Sequence, residues 1–425
     1  MKITICTKDA KDLFGGAFVW LIPFVTELRK KGVDVSLVFF LDHDYDHCPT
    51  IQDLQNKGFT CHYQKWLSKT YYTSNTEDRV KWILKKVKQE KPDIFLVNTV
   101  VPGFYASRWI REWGILTVGI IHSDHQFYDA LVREFGNRDS KFCLDAFIAV
   151  SSYLKEKIKK SDASCNVPVS VIACGTASSG LIANFKNRPF SIAYAGRLET
   201  EAKRILETVK AFCVAVKEVA GIQFEIYGDG SERERAQEII ESNGASDKVL
   251  LKGVLPTHEL RKALADCQAF TLLSDYEGLP VALMEAMEVG LVPICKEIDS
   301  GIPDLVKQGS TGFLVKNRED SFLEALKELT SNRELWAMMS NNARKLIVKD
   351  YLVDSITQKY LDLFHNLKME FTPTAEKVIP KRIKLPAINK HFVSGDNRKP
   401  TLGIFVLSIL RRLLNRLRIV AMTNS

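Results

Sequence analysis

The sequence lacks closely spaced cysteine pairs. It contains nine cysteines, an odd number, and no two of them are separated by only two residues. A dense disulfide scaffold needs many paired cysteines and a zinc ribbon needs Cys-x2-Cys pairs, so this spacing excludes both classes. We expect free thiols in a reducing compartment.

An apolar run of membrane-spanning length is also absent. Residues 1–6 are mostly apolar only over the length of a strand and lack the cleavage site of a signal peptide. Residues 401–410 are uncharged, but Arg411 and Arg412 end that run, whereas a membrane span needs about 20 apolar residues. We therefore predict neither a signal peptide nor a membrane span.

The body of the chain has no excess of positive charge. The formal net charge is +8, but residues 371–425 alone carry +9 and residues 1–370 carry −1. A core that binds nucleic acid would spread positive charge over its folded part, so we expect no nucleic acid partner. The distribution predicts a near-neutral globular body with a basic tail.

Two stretches of the chain alternate short aliphatic runs with longer helical patterns. The runs that indicate buried strands are 3–6, 33–40, 94–97, 116–121, 147–150 and 169–172, and then 192–195, 223–227, 249–252, 269–272 and 292–295. Continuous apolar strands between helices are typical of parallel sheets covered on both faces. We therefore predict an α/β protein of two Rossmann-like, doubly wound parallel-sheet domains. Ligands bind beyond the carboxyl ends of such strands, so two opposed domains would share one interdomain cleft.

A polar segment at residues 175–188 separates the two stretches and predicts the domain boundary. We place an N-terminal domain at residues 1–180 and a C-terminal domain at residues 187–350. A terminal helix at residues 351–368 is expected to pack back on the N-terminal domain. Residues 371–425 form the basic tail.

The basic tail has two predicted parts, a linker and a helix. The linker contains prolines and lysines, and residues 401–420 follow it with apolar side chains on one side of a helical wheel and arginines on the other. A basic amphipathic helix of this kind binds in the plane of an anionic membrane. Packing on the body of the chain or on a partner protein is the alternative, and the sequence leaves both open.

The segment 274–287 carries two acids around a predicted helix start. Pro280 suits the first turn of a helix, because an N–H at that position would have no intrahelical partner. Glu277 would then lie on the loop and Glu285 inside the helix. Carboxylates can accept hydrogen bonds from sugar hydroxyls, but a structural role for both acids is equally compatible with the sequence. The backbone amides expected to face an anionic or hydroxyl-rich ligand are those of Gly278, Leu279 and Val281.

Two cations follow the predicted strand at 192–195. Gly196 and Arg197 come directly after it, and Lys203 lies near the start of the next helix. Cations at the carboxyl end of a strand suit a diphosphate, which stays charged near neutral pH. The alternative is that both cations form salt bridges with nearby acids on a solvated surface.

Three weaker signals lie in the first half of the chain. Gly15 and Gly16 end a loop after the first strand, but the full Gly-x-Gly-x-x-Gly spacing is absent. His122 ends the strand at 116–121, where a structural and a functional role are both open. The acidic run 42–47 lacks the glycine of a calcium loop, so we predict a solvated loop there and no metal site.

Together these motifs resemble the retaining glycosyltransferases of family 4, which have the two-domain GT-B fold. The resemblance covers residues 1–368 apart from residues 40–80, and its specific part combines Gly196-Arg-Leu198 and Lys203 with Glu277-x7-Glu285. There are two departures from the family pattern. Gly278-Leu-Pro280 stands where the family often has Gly-Phe-Gly, and Ser300-Gly301 replaces a frequent Gly-Gly. They affect the expected donor preference more than the expected activity.

The resemblance implies a role for each matching position. Arg197 and Lys203 would hold the diphosphate of a nucleotide-sugar donor and stabilise the leaving group. Glu277 would contact the donor sugar and Glu285 the ribose. His122 would contact the transferred sugar from the N-terminal, acceptor-side domain. The remaining implied binding positions are Gly15, Gly16 and Gly196 near the phosphates, Gly278, Leu279 and Val281 at the helix start, and Val254 and Leu255 near the base.

These implications predict a retaining hexosyltransferase that uses a UDP- or GDP-sugar as donor substrate, with no bound cofactor. The acceptor would be a glycan, as in a cell-surface polysaccharide, or lipid-linked, as in a glycolipid. We expect a cytoplasmic protein at the inner face of a membrane. A GT-B epimerase or phosphorylase and a non-catalytic GT-B assembly protein are the alternatives. Product analysis distinguishes an epimerase or phosphorylase from a transferase. Nucleotide binding without turnover would identify a non-catalytic assembly protein.

Overall fold

The computed structural model describes residues 1–9, 19–41, 48–65, 76–161, 164–185, 189–369, 378–386 and 391–392. Three features predicted above lie outside the described residues. They are the loop with Gly15 and Gly16, the acidic run 42–47, and the tail segment 401–420.

The N-terminal domain is built on a seven-stranded parallel sheet. Its strands are β1 (Lys2–Asp9), β2 (Asp34–Leu41), β3 (Thr60–Lys65), β4 (Ile94–Asn98), β5 (Leu116–Ile121), β6 (Ala146–Ala149) and β7 (Val169–Val171). Their order across the sheet is β3-β2-β1-β4-β5-β6-β7. The accompanying helices are α1 (Leu21–Lys30), α2 (Pro49–Asn56), α3 (Thr76–Glu90), α4 (Val101–Glu112), α5 (Gln126–Phe135) and α6 (Ser152–Ser161).

The C-terminal domain repeats this plan with a six-stranded parallel sheet. Its strands are β8 (Phe190–Ala195), β9 (Ile222–Tyr227), β10 (Val249–Gly253), β11 (Ala269–Leu272), β12 (Val292–Lys296) and β13 (Phe313–Val315), in the order β10-β9-β8-β11-β12-β13. The helices are α7 (Ile205–Glu218), α8 (Arg233–Ser242), α9 (Thr257–Ala265), α10 (Val281–Glu288), α11 (Ile302–Leu305), α12 (Asp320–Ser331) and α13 (Arg333–Asp350). A last helix, α14 (Val353–Met369), follows.

The central strands are apolar because both of their faces are covered. Every residue of β4, β5, β8 and β11 is buried, and β2 is exposed only at its first residue. Parallel strands joined by helical crossovers have helices on both sides, so neither face can carry polar side chains at low cost. The predicted α/β architecture of two Rossmann-like sheets is confirmed.

Several elements differ from the sequence-based expectation. The strands β3 and β13 lie at sheet edges and were not predicted, and neither were the helices α2, α5 and α11. From its apolar spacing the sequence predicts a first helix over residues 17–31, kinked at Pro23 because proline lacks an N–H. The structure has α1 over Leu21–Lys30. Pro23 therefore lies in its first turn, where an absent N–H removes no intrahelical bond.

The two domains are joined by two chain crossings that lie side by side. Thr176 in the linker forms backbone hydrogen bonds with Tyr351 (3.0 Å) and Val353 (2.8 Å), between α13 and α14. The helix α14 then packs on the N-terminal domain. The ring of its Tyr360 lies 6.2 Å from that of Trp20 and 4.7 Å from that of Phe24.

Part of the tail expected to be a linker lies against the folded body. Residues 378–386 and 391–392 follow α14, and we call them together the return segment. Ile383 is 8% exposed and Phe392 is fully buried. Through these two side chains the return segment contributes to the apolar core, whereas Val378 is 57% exposed.

Candidate functional site

The C-terminal sheet reverses its strand order between β8 and β11, and the site begins there. The loops that follow these two strands carry Lys203 and Glu277. Lys203 Nζ donates a hydrogen bond to Glu277 Oε1 at 2.5 Å, and the two side chains are only 14% and 9% exposed. In doubly wound sheets the crevice at such a switch point is the usual ligand site.

Asp275 ties the Glu277 loop to three further cations. It accepts hydrogen bonds from Lys296 (2.5 Å) and Arg318 (2.6 Å), and Arg204 lies 3.4 Å away. Burial raises the pKa of Asp275, but the hydrogen bonds from Lys296 and Arg318 outweigh burial and hold that pKa below its usual range. The loop is therefore fixed by charge pairs from distant parts of the domain, which no local sequence pattern indicated.

Arg197 shows the salt bridge that the sequence left open as an alternative. Its Nη1 lies 2.9 Å from Glu199 Oε2, and its side chain is 55% exposed. Exposed pairs of this kind contribute little to stability, typically about 0–1 kcal/mol. Little free energy is therefore needed to turn the guanidinium towards an anionic ligand.

Glu285 lies inside α10 and is paired within the protein. Its side chain is 7% exposed, and Arg261 Nη2 donates to Glu285 Oε1 at 3.1 Å and to Thr176 Oγ1 at 3.1 Å. Burial raises the pKa of Glu285, and the nearby guanidinium opposes that shift. The pair thus links the domain linker to the helix that begins at the site.

The glycines beside β8 and β9 are required by backbone packing. A Cβ at Gly228 would lie 1.9 Å from the carbonyl oxygen of Gly196, and one at Gly230 would lie 2.3 Å from that of Leu198. The Gly228-Asp-Gly230 loop therefore presses directly on the loop that carries Arg197. Beyond β10, Val254 is 38% exposed, whereas Leu255 is partly buried against the core.

On the opposite domain, His122 follows β5 and belongs to a buried polar chain. Its Nε2 lies 2.6 Å from Asn98 Oδ1, and Asn98 Nδ2 donates to Thr7 Oγ1 at 3.2 Å. Cys174 Sγ lies 3.8 Å from His122 Nδ1. Burial lowers the pKa of His122 to about 3, so the imidazole is neutral at physiological pH. Thr7 and Asn98 were missed in the sequence, because isolated polar residues in strands carry no motif.

The two domains meet where Gly278 faces His122. A Cβ at Gly278 would lie 1.7 Å from the His122 carbonyl oxygen, so no larger residue fits. The Gly301 N–H donates to the Gly278 carbonyl at 2.6 Å, and the Ser152 N–H of α6 donates to Asp304 Oδ2 of α11 at 2.8 Å. Leu279, which precedes α10, and Val281, its first residue, are buried beside this contact.

The described residues bring most of the predicted site together. Lys203, Glu277 and Gly278 lie on adjoining loops, and Gly278 contacts His122 of the other domain. Backbone amides at a helix start, a buried ammonium group and a half-exposed guanidinium suit a diphosphate. Among the described residues, no three His, Cys, Asp or Glu side chains are placed to hold a metal ion. The helices of the described ranges include none long and apolar enough to cross a membrane.

Matches to known families divide the chain between its two parallel-sheet domains. Residues 14–178 match the family model described as Glycosyltransferase Family 4, and residues 182–346 match the model described as Glycosyl transferases group 1. Each model covers one of the two parallel-sheet domains.

Curated relatives resemble parts of the chain. The poly(ribitol-phosphate) alpha-N-acetylglucosaminyltransferase of Staphylococcus aureus is 29% identical over 39% of this chain and 33% of its own length. The putative colanic acid biosynthesis glycosyltransferase WcaL of Salmonella typhimurium is 30% identical over 42% of this chain and 46% of its own length. The matched regions thus span about a third to a half of these relatives.

A solved structure shares the whole architecture. A mutant of S. aureus TarM in complex with fondaparinux, alpha-GlcNAc-glycerol and UDP superposes with a TM-score of 0.70 at 16% identity, over 86% of this chain and 100% of that one. At this identity the likeness concerns the fold, which is GT-B. The two family models, the relatives and the fold support a GT-B glycosyltransferase.

Proposed function

We propose that this chain is a retaining glycosyltransferase that moves a sugar from a nucleotide-sugar to a glycan or lipid-linked acceptor. The observation that carries the proposal is the buried Lys203–Glu277 pair at the switch point of the C-terminal sheet. At this place the lysine can bind the diphosphate of a nucleotide-sugar donor, and the carboxylate can bind its sugar. The curated relatives named above, which are glycosyltransferases, support the same reaction class.

In the proposed reaction, Lys203 and Arg197 stabilise the charge that develops on the leaving nucleoside diphosphate. The bond between the anomeric carbon and the phosphate oxygen breaks, and the acceptor oxygen bonds to the same carbon. The acceptor proton passes to the departing phosphate. Electrostatic stabilisation of a leaving group in a water-poor site is a large contribution to such rates. Glu277 holds sugar hydroxyls, and neutral His122 contacts the sugar from the other domain.

The donor nucleotide is proposed to be UDP rather than GDP. Support comes from the structure of TarM, whose complex contains UDP. The base would lie beside half-exposed Val254 and Leu255, and the ribose near Glu285. Calorimetric titration with UDP and GDP tests this choice, and we expect UDP to bind at least about tenfold more tightly, a difference of about 1.4 kcal/mol. Tighter binding of GDP would reverse the assignment.

The catalytic proposal is tested with Lys203→Ala and Glu277→Gln. We expect either change to reduce sugar transfer from UDP-sugars by about a hundredfold or more, because each removes a charged contact with the transition state. Turnover is measured with a panel of UDP-sugars and membrane glycolipid or polysaccharide acceptors, and the circular dichroism spectrum monitors the fold. Wild-type turnover in either variant would refute the site.

The matched control is Lys327→Ala. Lys327 also lies near a glutamate, at 3.8 Å from Glu218, but both side chains are about half exposed and belong to helices α12 and α7 rather than to the loops after β8 and β11. This change removes the same kind of side chain from a solvated surface, where we expect no loss of turnover.

The acceptor is proposed to be reached at the cytoplasmic face of an anionic membrane, through residues 401–420. The support is the basic amphipathic pattern of that segment. Deletion of residues 393–425 should release the protein from vesicles that contain phosphatidylglycerol, while neither protein binds vesicles of phosphatidylcholine alone. Equal binding of the full and the shortened chain to the anionic vesicles would contradict the membrane role.

A further inference from the structure

Phe392 lies in an aromatic pocket on the N-terminal domain. The side chain is fully buried, and its ring centroid lies 6.1 Å from that of Phe127, 6.2 Å from that of Phe135 and 6.3 Å from that of Tyr105. Phe392 comes more than twenty residues after α14 ends at Met369. Phe392 therefore places one aromatic ring in the core of the N-terminal domain, on which α14 also packs.

The pocket is formed mainly by α5. Phe127 and Phe135 are eight residues apart, which places them on one face of that helix two turns apart. Tyr105 of α4 completes the pocket from the neighbouring helix, and its ring also lies 5.0 Å from that of Phe135. Phe392 thus contacts both the beginning and the end of α5.

The beginning of α5 leads directly to the cleft. Phe127 N–H donates to His125 Nδ1 at 3.2 Å, which caps the helix. The ring of Phe127 lies 5.1 Å from that of Tyr128, and the Tyr128 ring lies 6.2 Å from that of His122. The His122 carbonyl in turn faces Gly278 of the donor-side loop. A continuous series of ring contacts therefore joins Phe392 to the place where the domains meet.

We propose that Phe392 is a positioning residue that anchors the C-terminal segment on α4 and α5 and thereby holds the loop His122–His125 at the cleft. The expected effect on acceptor binding rests on the proposed function. The expected effect on the stability of α5 does not, since it concerns packing alone.

The packing consequence is tested in the full-length chain with Phe392→Ala. Amide hydrogen exchange measured by mass spectrometry should become about tenfold faster or more in residues 126–135, because local opening of a helix follows the contacts that cover it. Exchange in helices of the C-terminal domain should stay unchanged. Unaltered exchange in 126–135, or an equal increase in both domains, would overturn the proposal.

Two further variants keep the test decisive. Phe185→Ala removes a ring of the linker that packs on the C-terminal domain, 5.3 Å from that of Trp336, and should leave exchange in α5 unchanged. Phe392→Leu keeps an apolar side chain in the pocket and should restore most of the protection. If Phe392→Ala does not fold, Phe392→Val, which fills less of the pocket than leucine, replaces it, and exchange in α5 of that variant no faster than in Phe392→Leu would overturn the anchor.

Kinetics separate positioning from a merely structural role. In Phe392→Ala the KM for the acceptor should rise several-fold while the affinity for UDP, which lacks the sugar that His122 would contact, stays at its wild-type value, because the proposed diphosphate contacts lie on the other domain. An equal loss of acceptor and UDP binding, or a change in neither, would overturn the positioning role. If no sugar transfer is found in the wild-type protein, the proposed function fails, and the exchange measurement still decides whether Phe392 anchors α5.

Discussion

At the scale of single residues, His122 is held neutral by burial and not by a charged partner. Its imidazole contacts the side chains of Asn98 and Cys174, and neither carries a charge. Desolvation alone therefore lowers its pKa to about 3, well below the ordinary value of a histidine. A neutral imidazole can hydrogen-bond to a sugar without adding charge beside the diphosphate.

This burial predicts that the folded chain loses stability as the pH falls below about 6.5. Between that value and about 3 the unfolded chain binds a proton at His122 and the folded chain does not. The free energy of unfolding should then fall by about 1.4 kcal/mol per pH unit from this residue, or about 2 kcal/mol between pH 7 and pH 5. Urea unfolding at both pH values, followed by tryptophan fluorescence, measures the loss.

His122→Gln separates this contribution from that of other titrating groups. Glutamine keeps an amide that can bond to Asn98 but does not titrate, so the variant should lose about 2 kcal/mol less than the wild type over the same pH interval. Equal losses in the two proteins would show that the folded His122 titrates near its ordinary pKa.

At the scale of elements, the sequence predicts the strands that are buried on both faces and misses elements that are buried on only one face. The strands β8 and β11 are buried along their whole length, so their apolar runs locate the strand ends and, with them, Lys203 and Glu277. The edge strand β3 leaves Tyr63 47% exposed and carries no continuous apolar run. The helix α5 begins with a histidine cap instead of the usual Ser, Thr, Asp or Asn, so its start signal was absent.

The partners of the site residues could not be predicted for a different physical reason. Lys296 and Arg318 reach Asp275 from other segments of the domain, and Asn98 reaches His122 across neighbouring strands. Such contacts depend on the three-dimensional arrangement of strand ends, which periodicity does not contain. The contact of Phe392 with α5 is the extreme case, since more than two hundred residues of chain separate them.

At the scale of the whole molecule, the cleft depends on how closely two backbones approach. The domains touch at Gly278 and His122 and at Ser152 and Asp304, and the chain crosses between them at the paired positions Thr176 and Leu352. Two domains joined in this way can open and close about the crossings around a ligand. The size of residue 278 therefore sets how far the cleft can close.

Gly278→Ala should keep the cleft from closing. The added Cβ would lie 1.7 Å from the His122 carbonyl oxygen, so the domains must separate to accommodate it. Misplacement of reacting groups by about 1 Å can cost a hundredfold in rate, and we expect a loss of sugar transfer of about that size. The radius of gyration from small-angle X-ray scattering should increase, while UDP affinity stays near the wild-type value because Lys203 and Arg197 lie within one domain.

Gly309→Ala is the control, because it introduces backbone strain without a steric clash. Gly309 has φ +72°, and a Cβ there would meet no atom within 4 Å, so alanine costs backbone strain of about 1–2 kcal/mol but closes no space. We expect this variant to be less stable yet to have the wild-type radius of gyration and turnover. If Gly278→Ala transferred sugar as fast as the wild type, or if Gly309→Ala lost as much activity, the contact between Gly278 and His122 could not be the point at which the two domains close on the donor.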